Sequence, residues 1–328
     1  MSQMTKSKIA LVLSGGGARG LAHIGVIEEL ERRGYEIGSI AGTSMGSMVG
    51  GVYATGGLDA FKQWFYALDR AKVFRLVDFS FRGQGLVKAD RVLRKLQEYV
   101  PDVPIESLSV PFAAVAVDLV SKEEVVFRSG SLYDAIRASI AIPSVITPVK
   151  RDGQVLVDGG VLNNLPMSHI QRQKGDIMMA VYVNADVPVR EPAEPEEHAR
   201  RLARYQHKIR DFYQQLRRYD FHLGPFHRQG QPGGEAVAPD EPFLPLEEHV
   251  SREKEDSYSY FSLISRTLDV MTMHMAQEKM KQFAPEILVK VSRDSCGVYD
   301  FYKAEQQVEE GRLAAIEALD AYEAGYSV

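Results

Sequence analysis

Five consecutive residues, Gly42-Thr43-Ser44-Met45-Gly46, fit G-x-S-x-G, the pattern of a serine nucleophile held on a sharp strand-to-helix turn. Such a turn requires small residues two before and two after the serine, because backbone segments there come too close for side chains. The run that follows, "MGSMVGGVYA", patterns as a helix, which places Ser44 at a helix N-terminus where the dipole favours developing negative charge. The plain alternative is a glycine-rich helix start with Ser44 acting only as its cap. A second glycine cluster precedes it, in "LSGGGARGLAHIGV" from Leu13 to Val26. Gly15, Gly17 and Gly20 fit the dinucleotide fingerprint G-x-G-x-x-G, but that motif also needs an acid at the end of the second strand. Here "IGSIAG" runs into "GTSMG" instead, and Glu36 lies at the wrong end. No Gly-Lys-Ser/Thr follows, which excludes a phosphate-binding P-loop. The amides of Gly15, Gly16 and Gly17 then fit an oxyanion hole for an acyl carbonyl attacked by Ser44. Arg19 either adds a fixed positive charge there or is an ordinary helix-surface arginine.

A serine nucleophile needs a base. The chain has eight histidines, and none has a local setting that suggests a triad. His23 lies on the apolar face of the first helical pattern, the place of a packed core histidine. His169 and His274 lie in helical patterns, and the others fall in an irregular stretch. By contrast, "GQVLVDGGVLNNLP" carries an apolar strand that ends in Asp158, with Gly159 and Gly160 turning the chain tightly away. A strand-end aspartate is often only a turn former, yet one that closes a strand in the sheet of Ser44 is the better candidate base. An α/β-hydrolase triad of Ser44, Asp158 and His274 is the nearest rival, although that fold places several strands before its nucleophile and here only one comes before. A catalytically silent lipid- or nucleotide-binding module is the rival from another class.

Four blocks in order, "GGGARG" (Gly15–Gly20), "GTSMG" (Gly42–Gly46), "ASIAIPSVITPV" (Ala138–Val149) and Asp158-Gly159-Gly160, resemble the patatin-like phospholipase family. The third block matches the family's serine and proline at Ser139 and Pro143, with Ile146 where the family carries phenylalanine, a change expected to alter packing only. The resemblance covers about Lys8–Ala185 and resumes near Tyr258. It implies a three-layer α/β/α fold with a central, largely parallel sheet, and a Ser44–Asp158 dyad that uses no histidine. It also implies a lipid acyl ester as substrate, and neither metal nor cofactor. An aspartate with a reference pKa of ~3.9 is a poor base for a hydroxyl. The dyad therefore requires surroundings that disfavour the charged carboxylate, which burial supplies.

The elements that must position these residues alternate in the first half between apolar strands and helical patterns, the signature of an α/β domain with a mainly parallel sheet. Strands are expected at Lys8–Leu13, Gly38–Ala41, Phe112–Val117, Glu124–Arg128, Gln154–Val157 and Ile177–Asn184, and helices at Ala18–Arg33, Met45–Ala54, Ala60–Ala67, Ala89–Tyr99 and Leu132–Ser139. Composition shifts at Asp186 to Pro, charge and His, and regular patterning returns with helix Tyr258–Phe283, strand Glu286–Val291 and helix Lys303–Tyr322. The expected organisation is a catalytic core over 1–185, a polar insertion over 186–257, and completion of the same domain by 258–328.

Within the insertion, Leu202, Tyr205, Ile209, Phe212, Leu216 and Tyr219 mark one helical stripe, flanked by seven Arg or Lys against two acids between Arg200 and Asp220. That stripe fits packing on its own domain, a second copy of the chain in a homodimer, or an anionic membrane surface. The 328 residues carry a net charge of −5, which gives no whole-chain case for nucleic acid. The single cysteine, Cys296, and the mostly polar first eight residues predict a cytoplasmic protein, peripheral to a membrane at most.

Overall fold

The computed structural model describes residues 8–76, 94, 95, 97, 102–143, 145–190 and 260–325. All belong to one of the two compact units into which the chain divides, Met1–Arg190 with Asp256–Val328. The expected helix Ala89–Tyr99 lies outside the described residues apart from 94, 95 and 97, and so does the stripe Leu202–Tyr219.

Five strands run parallel: β3 (Phe112–Asp118), β2 (Ile37–Thr43), β1 (Ile9–Leu13), β7 (Ile177–Ala185) and β8 (Ile287–Ser292), hydrogen-bonded in that order. Three further strands, β4 (Glu123–Phe127), β5 (Val149–Arg151) and β6 (Gln154–Asp158), join antiparallel around β3, so the sheet is mixed. The antiparallel part of this largely parallel sheet has a local cause. β3 to β4 and β5 to β6 are joined by short turns, which can only connect antiparallel neighbours. The second of these turns is Asp152-Gly153, both at positive φ (50° and 79°), the Asp-Gly signature of a tight hairpin.

β1 (IALVL) and β3 (FAAVAVD) are near-continuous apolar runs, buried along their whole length, because both their faces are covered. Alternation along β1 and β7 sorts their residues. Ile9, Leu11, Leu13, Met179, Val181 and Val183 belong to the larger core, with α1 (Ala22–Arg32), α2 (Met45–Ala54), α3 (Leu58–Tyr66), α5 (Leu132–Ser139) and α7 (Ala304–Glu323). Val12, Met178, Ala180 and Tyr182 face a smaller core closed by Leu165, Met167 and Ala276 of α6 (Tyr260–Phe283). The result is three layers, α/β/α. A short α4 (Arg70–Leu76) follows α3. The expected helix Ala18–Arg33 opens instead as a 3-10 turn, Gly17–Leu21, before α1 begins.

Register decides where the chemistry falls. Val115 of β3 pairs with Thr43 of β2 and Val126 of β4, and Ala116 pairs with Val125 of β4 and Asp158 of β6. A strand has two edges, and β4 occupies one of them from Ala114 to Asp118. β2 and β6 therefore share the other, and their C-terminal ends, Thr43 and Asp158, meet opposite consecutive residues of β3.

Candidate active site

Ser44 stands between β2 and α2 at φ 54°, ψ −125°, a conformation that side chains rarely adopt. The surrounding glycines make this turn possible. A Cβ on Gly42 would fall 2.5 Å from the Gly46 carbonyl, and one on Gly46 would fall 2.3 Å from the Leu13 carbonyl. The turn at Ser44 thus lies against the end of β1, where the Gly15–Gly20 loop begins. Ser44 is only 5% exposed and Asp158 6%.

Both members of the pair are tethered by one short segment at the end of α5. The Ser44 N–H donates to Ser139 Oγ (2.9 Å), the Ser139 hydroxyl donates to the Val115 carbonyl (2.6 Å), and the Asp158 N–H donates to the Ala141 carbonyl (2.9 Å). This is the structural content of the third sequence block. Ile146, farther along it, is partly buried against the larger core.

Two strand-end aspartates of the same sheet show opposite electrostatics. Asp118 accepts N–H bonds from Val155, Val120 and Ser121, and these hold its carboxyl below the usual range. Asp158 accepts one, from Gly160 at 2.7 Å on Oδ1, while Oδ2 is buried and among the described residues has no partner at hydrogen-bond distance. Burial pushes the Asp158 pKa up from 3.8 to about 6, against the downward pull of the nearby Ser44 hydroxyl and the Gly160 amide.

Among the described residues no histidine is bonded to Ser44 or Asp158. His23 is fully buried, its Nε2 bonded to the Ser14 carbonyl (2.8 Å) and its pKa pushed down to about 4, so it stays neutral. His169 pairs with Glu124, and His274 is exposed on α6.

The glycine loop needs two corrections. The Gly15 N–H donates to the Asn164 carbonyl (3.1 Å), so this amide is not available to an oxyanion. Gly16 and Gly17 are half-buried, and among the described residues their amides have no acceptor. Gly17 sits at φ 56°, which redirects the chain into the 3-10 turn. Arg19 does not present a free charge to the site. Its Nε donates to Asn184 Oδ1 (3.0 Å) and its NH1 to the carbonyls of Arg293 (3.2 Å) and Cys296 (3.4 Å). Burial lowers its pKa from the usual guanidinium value.

Gly159 and Gly160 are buried beside the pair. A Cβ on Gly159 would fall 2.3 Å from the Val115 carbonyl, so the chain leaving Asp158 lies against β3. Two asparagines absent from the sequence reading belong to the site. Asn164 is 8% exposed and meets the loop through its carbonyl and side chain, and Asn184 Nδ2 donates to the Gly15 carbonyl (2.7 Å). Asn164 lies in the quoted "LNNLP"; no local spacing points to Asn184.

The family model for patatin-like phospholipase matches residues 11–169. An NTE family protein of Mycobacterium bovis is 36% identical over 343 residues, covering 96% of this chain and 92% of the relative. Another NTE family protein, from Mycobacterium tuberculosis, is 40% identical over 163 residues, covering 48% of this chain and 27% of its own. The mouse patatin-like phospholipase domain-containing protein 6 is 30% identical over 189 residues, which is 56% of this chain and 14% of that protein.

Proposed function

The chain belongs to the patatin-like phospholipase family, and from that premise we propose that it is a serine acyl hydrolase cleaving fatty-acyl esters of lipids through a Ser44–Asp158 dyad. One observation carries the reading. A serine held at φ 54° ends β2 beside a buried aspartate whose pKa is raised to about 6, and the two strand ends face consecutive residues of β3.

The steps follow from that reading. Asp158 Oδ2 takes the Ser44 hydroxyl proton as Ser44 Oγ bonds to the acyl carbon. The carbonyl electrons move onto oxygen, where the amides of Gly16 and Gly17 and the N-terminal end of α2 stabilise the charge. The intermediate collapses, and the alcohol leaves with the proton from Asp158. A water deprotonated by Asp158 then attacks the acyl-serine, Ser44 recovers a proton from Asp158, and the fatty acid departs. The chemistry requires no metal or cofactor.

The lipid substrate brings a membrane surface with it. The sequence of Arg200–Asp220, basic and with apolar residues at helical spacing, supports docking on anionic lipid as the means by which Ser44 reaches its substrate.

Reaction of the protein with a fluorescent alkyl phosphonate, alongside turnover of a panel of acyl esters, tests the dyad. Ser44→Ala should lose labelling and turnover, Asp158→Asn should lose turnover, and His274→Ala should keep both. A turning-over Asp158→Asn enzyme sinks the dyad; a folded but dead His274→Ala enzyme favours a triad.

A further inference from the structure

We infer that Asn184, at the C-terminal end of β7, is the positioning residue of the oxyanion loop: it fixes which way the Gly15–Gly16 peptide faces, and Arg19 fixes Asn184. The inference rests on the Ser44 acyl-hydrolase reading and adds to it a device for building the hole.

A peptide is planar and trans, so its C=O and N–H point in opposite directions. Whatever holds the Gly15 carbonyl therefore aims the Gly16 amide. Asn184 Nδ2 donates to that carbonyl at 2.7 Å, with Asn164 Nδ2 a longer second donor at 3.4 Å. Both flanking residues are glycines, so sterics alone leave this peptide free to rotate into the reverse orientation. Hydrogen bonds must select the one in which the Gly16 N–H is offered and the carbonyl withdrawn.

The carboxamide itself could also face either way, and Arg19 removes that choice. A guanidinium only donates, so Nε at 3.0 Å requires the Asn184 oxygen on its side. The NH2 end is then turned to Gly15. Arg19 is in turn tied to the carbonyls of Arg293 and Cys296, and the Ala18 N–H donates to the Val298 carbonyl at 2.8 Å. The loop after β8 thus anchors the clamp, which links the last strand of the sheet to a donor beside Ser44.

The discriminating variant is Asn184→Asp. It keeps size, packing and the contact with Arg19, but a carboxylate cannot donate to the Gly15 carbonyl and attracts a reversed Gly16 N–H instead. Loss of one oxyanion donor lowers turnover about 100- to 1000-fold. Asn184→Asp should show a loss of about that size in kcat, with KM for a soluble ester little changed and the melting temperature not lowered. A trifluoromethyl ketone, which forms a tetrahedral adduct with the serine, should lose affinity in step with kcat/KM. Arg19→Gln, which frees the carboxamide without removing it, should give a smaller loss of the same kind, and it serves as the test should Asn184→Asp fail to fold. A folded Asn184→Asp enzyme with wild-type kcat, or one that loses kcat yet binds the ketone as tightly as wild type, overturns the inference. Ser44→Ala run in parallel separates the two levels, because activity surviving in that variant would overturn Ser44 as the nucleophile, and with it the reading on which this inference rests.

Discussion

At the scale of single residues, the proposed dyad depends on one carboxyl being made basic by burial. An aspartate with its pKa raised to about 6 must be ionised to act as a base, so kcat/KM should fall about tenfold per pH unit below about 6. The same shift acts on stability with the opposite sign. Because the folded pKa lies above the unfolded one, the native state binds the extra proton, and stability from this group declines as pH rises from about 3.8 to about 6. Asp158→Asn stays neutral, so it should be more stable than wild type at pH 8, by up to about 3 kcal/mol, and no more stable below pH about 4. Thermal melts at the two pH values check this; an equal difference at both would show that burial is not what shifts the group. Ser139→Ala removes the acceptor of the Ser44 N–H and the donor to the Val115 carbonyl, two buried groups whose loss of partners costs about 1–3 kcal/mol each. We expect at least a tenfold lower rate of phosphonate labelling at Ser44, measured by stopped-flow, and an unchanged rate would remove Ser139 from the positioning set. Ser44 and Asp158 were legible in the sequence because tight turns demand small neighbours close by in the chain. Asn184 was not, since its partner Gly15 is 169 residues away, and neither was the capture of the Gly15 amide by Asn164.

At the scale of elements, the strands and helices announced themselves by period, and what period cannot carry is how two helices approach. α1 and α7 pack through two glycines, each set against the backbone of the other helix. A Cβ on Gly311 would lie 1.9 Å from the Ala22 carbonyl, and one on Gly25 would lie 1.9 Å from the Val308 carbonyl. Backbone atoms cannot swing aside as side chains do, so Gly311→Ala must push the helices apart. Overpacking of this kind costs about 1–3 kcal/mol, more than the gain of up to about 1 kcal/mol that alanine brings to a helix interior. The melting temperature should drop by several degrees on calorimetry; a rise would mean that the helices separate freely. Because α1 continues directly from the Gly17–Leu21 turn, the variant should also lose turnover. Nothing in "AHIGVIEELER" or "AEQQVEEGRLAAIEALDAYE" pairs these two glycines, since the match is made across nearly the whole chain. The antiparallel hairpin was different: Asp152-Gly153 carried its signal in two residues, and a reading set on a parallel sheet passed over it.

At the scale of the whole molecule, the question is how an acidic protein reaches a lipid. A chain of net charge −5 is repelled by anionic membranes unless its charge is unevenly placed, and Arg200–Asp220 concentrates seven basic residues against two acids. No helix among the described residues is long and apolar enough to span a bilayer. On the proposed docking, contact draws on charge and on surface hydrophobics. The described surface offers Leu119 and Val120, 49% and 61% exposed just past the C-terminal end of β3, the end of the sheet at which β2 delivers Ser44. Basic residues near an anionic surface contribute about 1 kcal/mol each, and this attraction is screened within ~10 Å at 0.1 M salt and ~3 Å at 1 M. Wild-type protein should therefore co-sediment with phosphatidylglycerol vesicles at low salt and be released as salt rises. Changing Arg200, Arg201, Arg204 and Lys208 together to Gln should abolish the sedimentation while turnover of a water-soluble short-chain ester stays at the wild-type rate. If neither protein sediments at low salt, the basic stripe serves packing or a second copy of the chain, and Leu119 and Val120 are left as the surface to vary next.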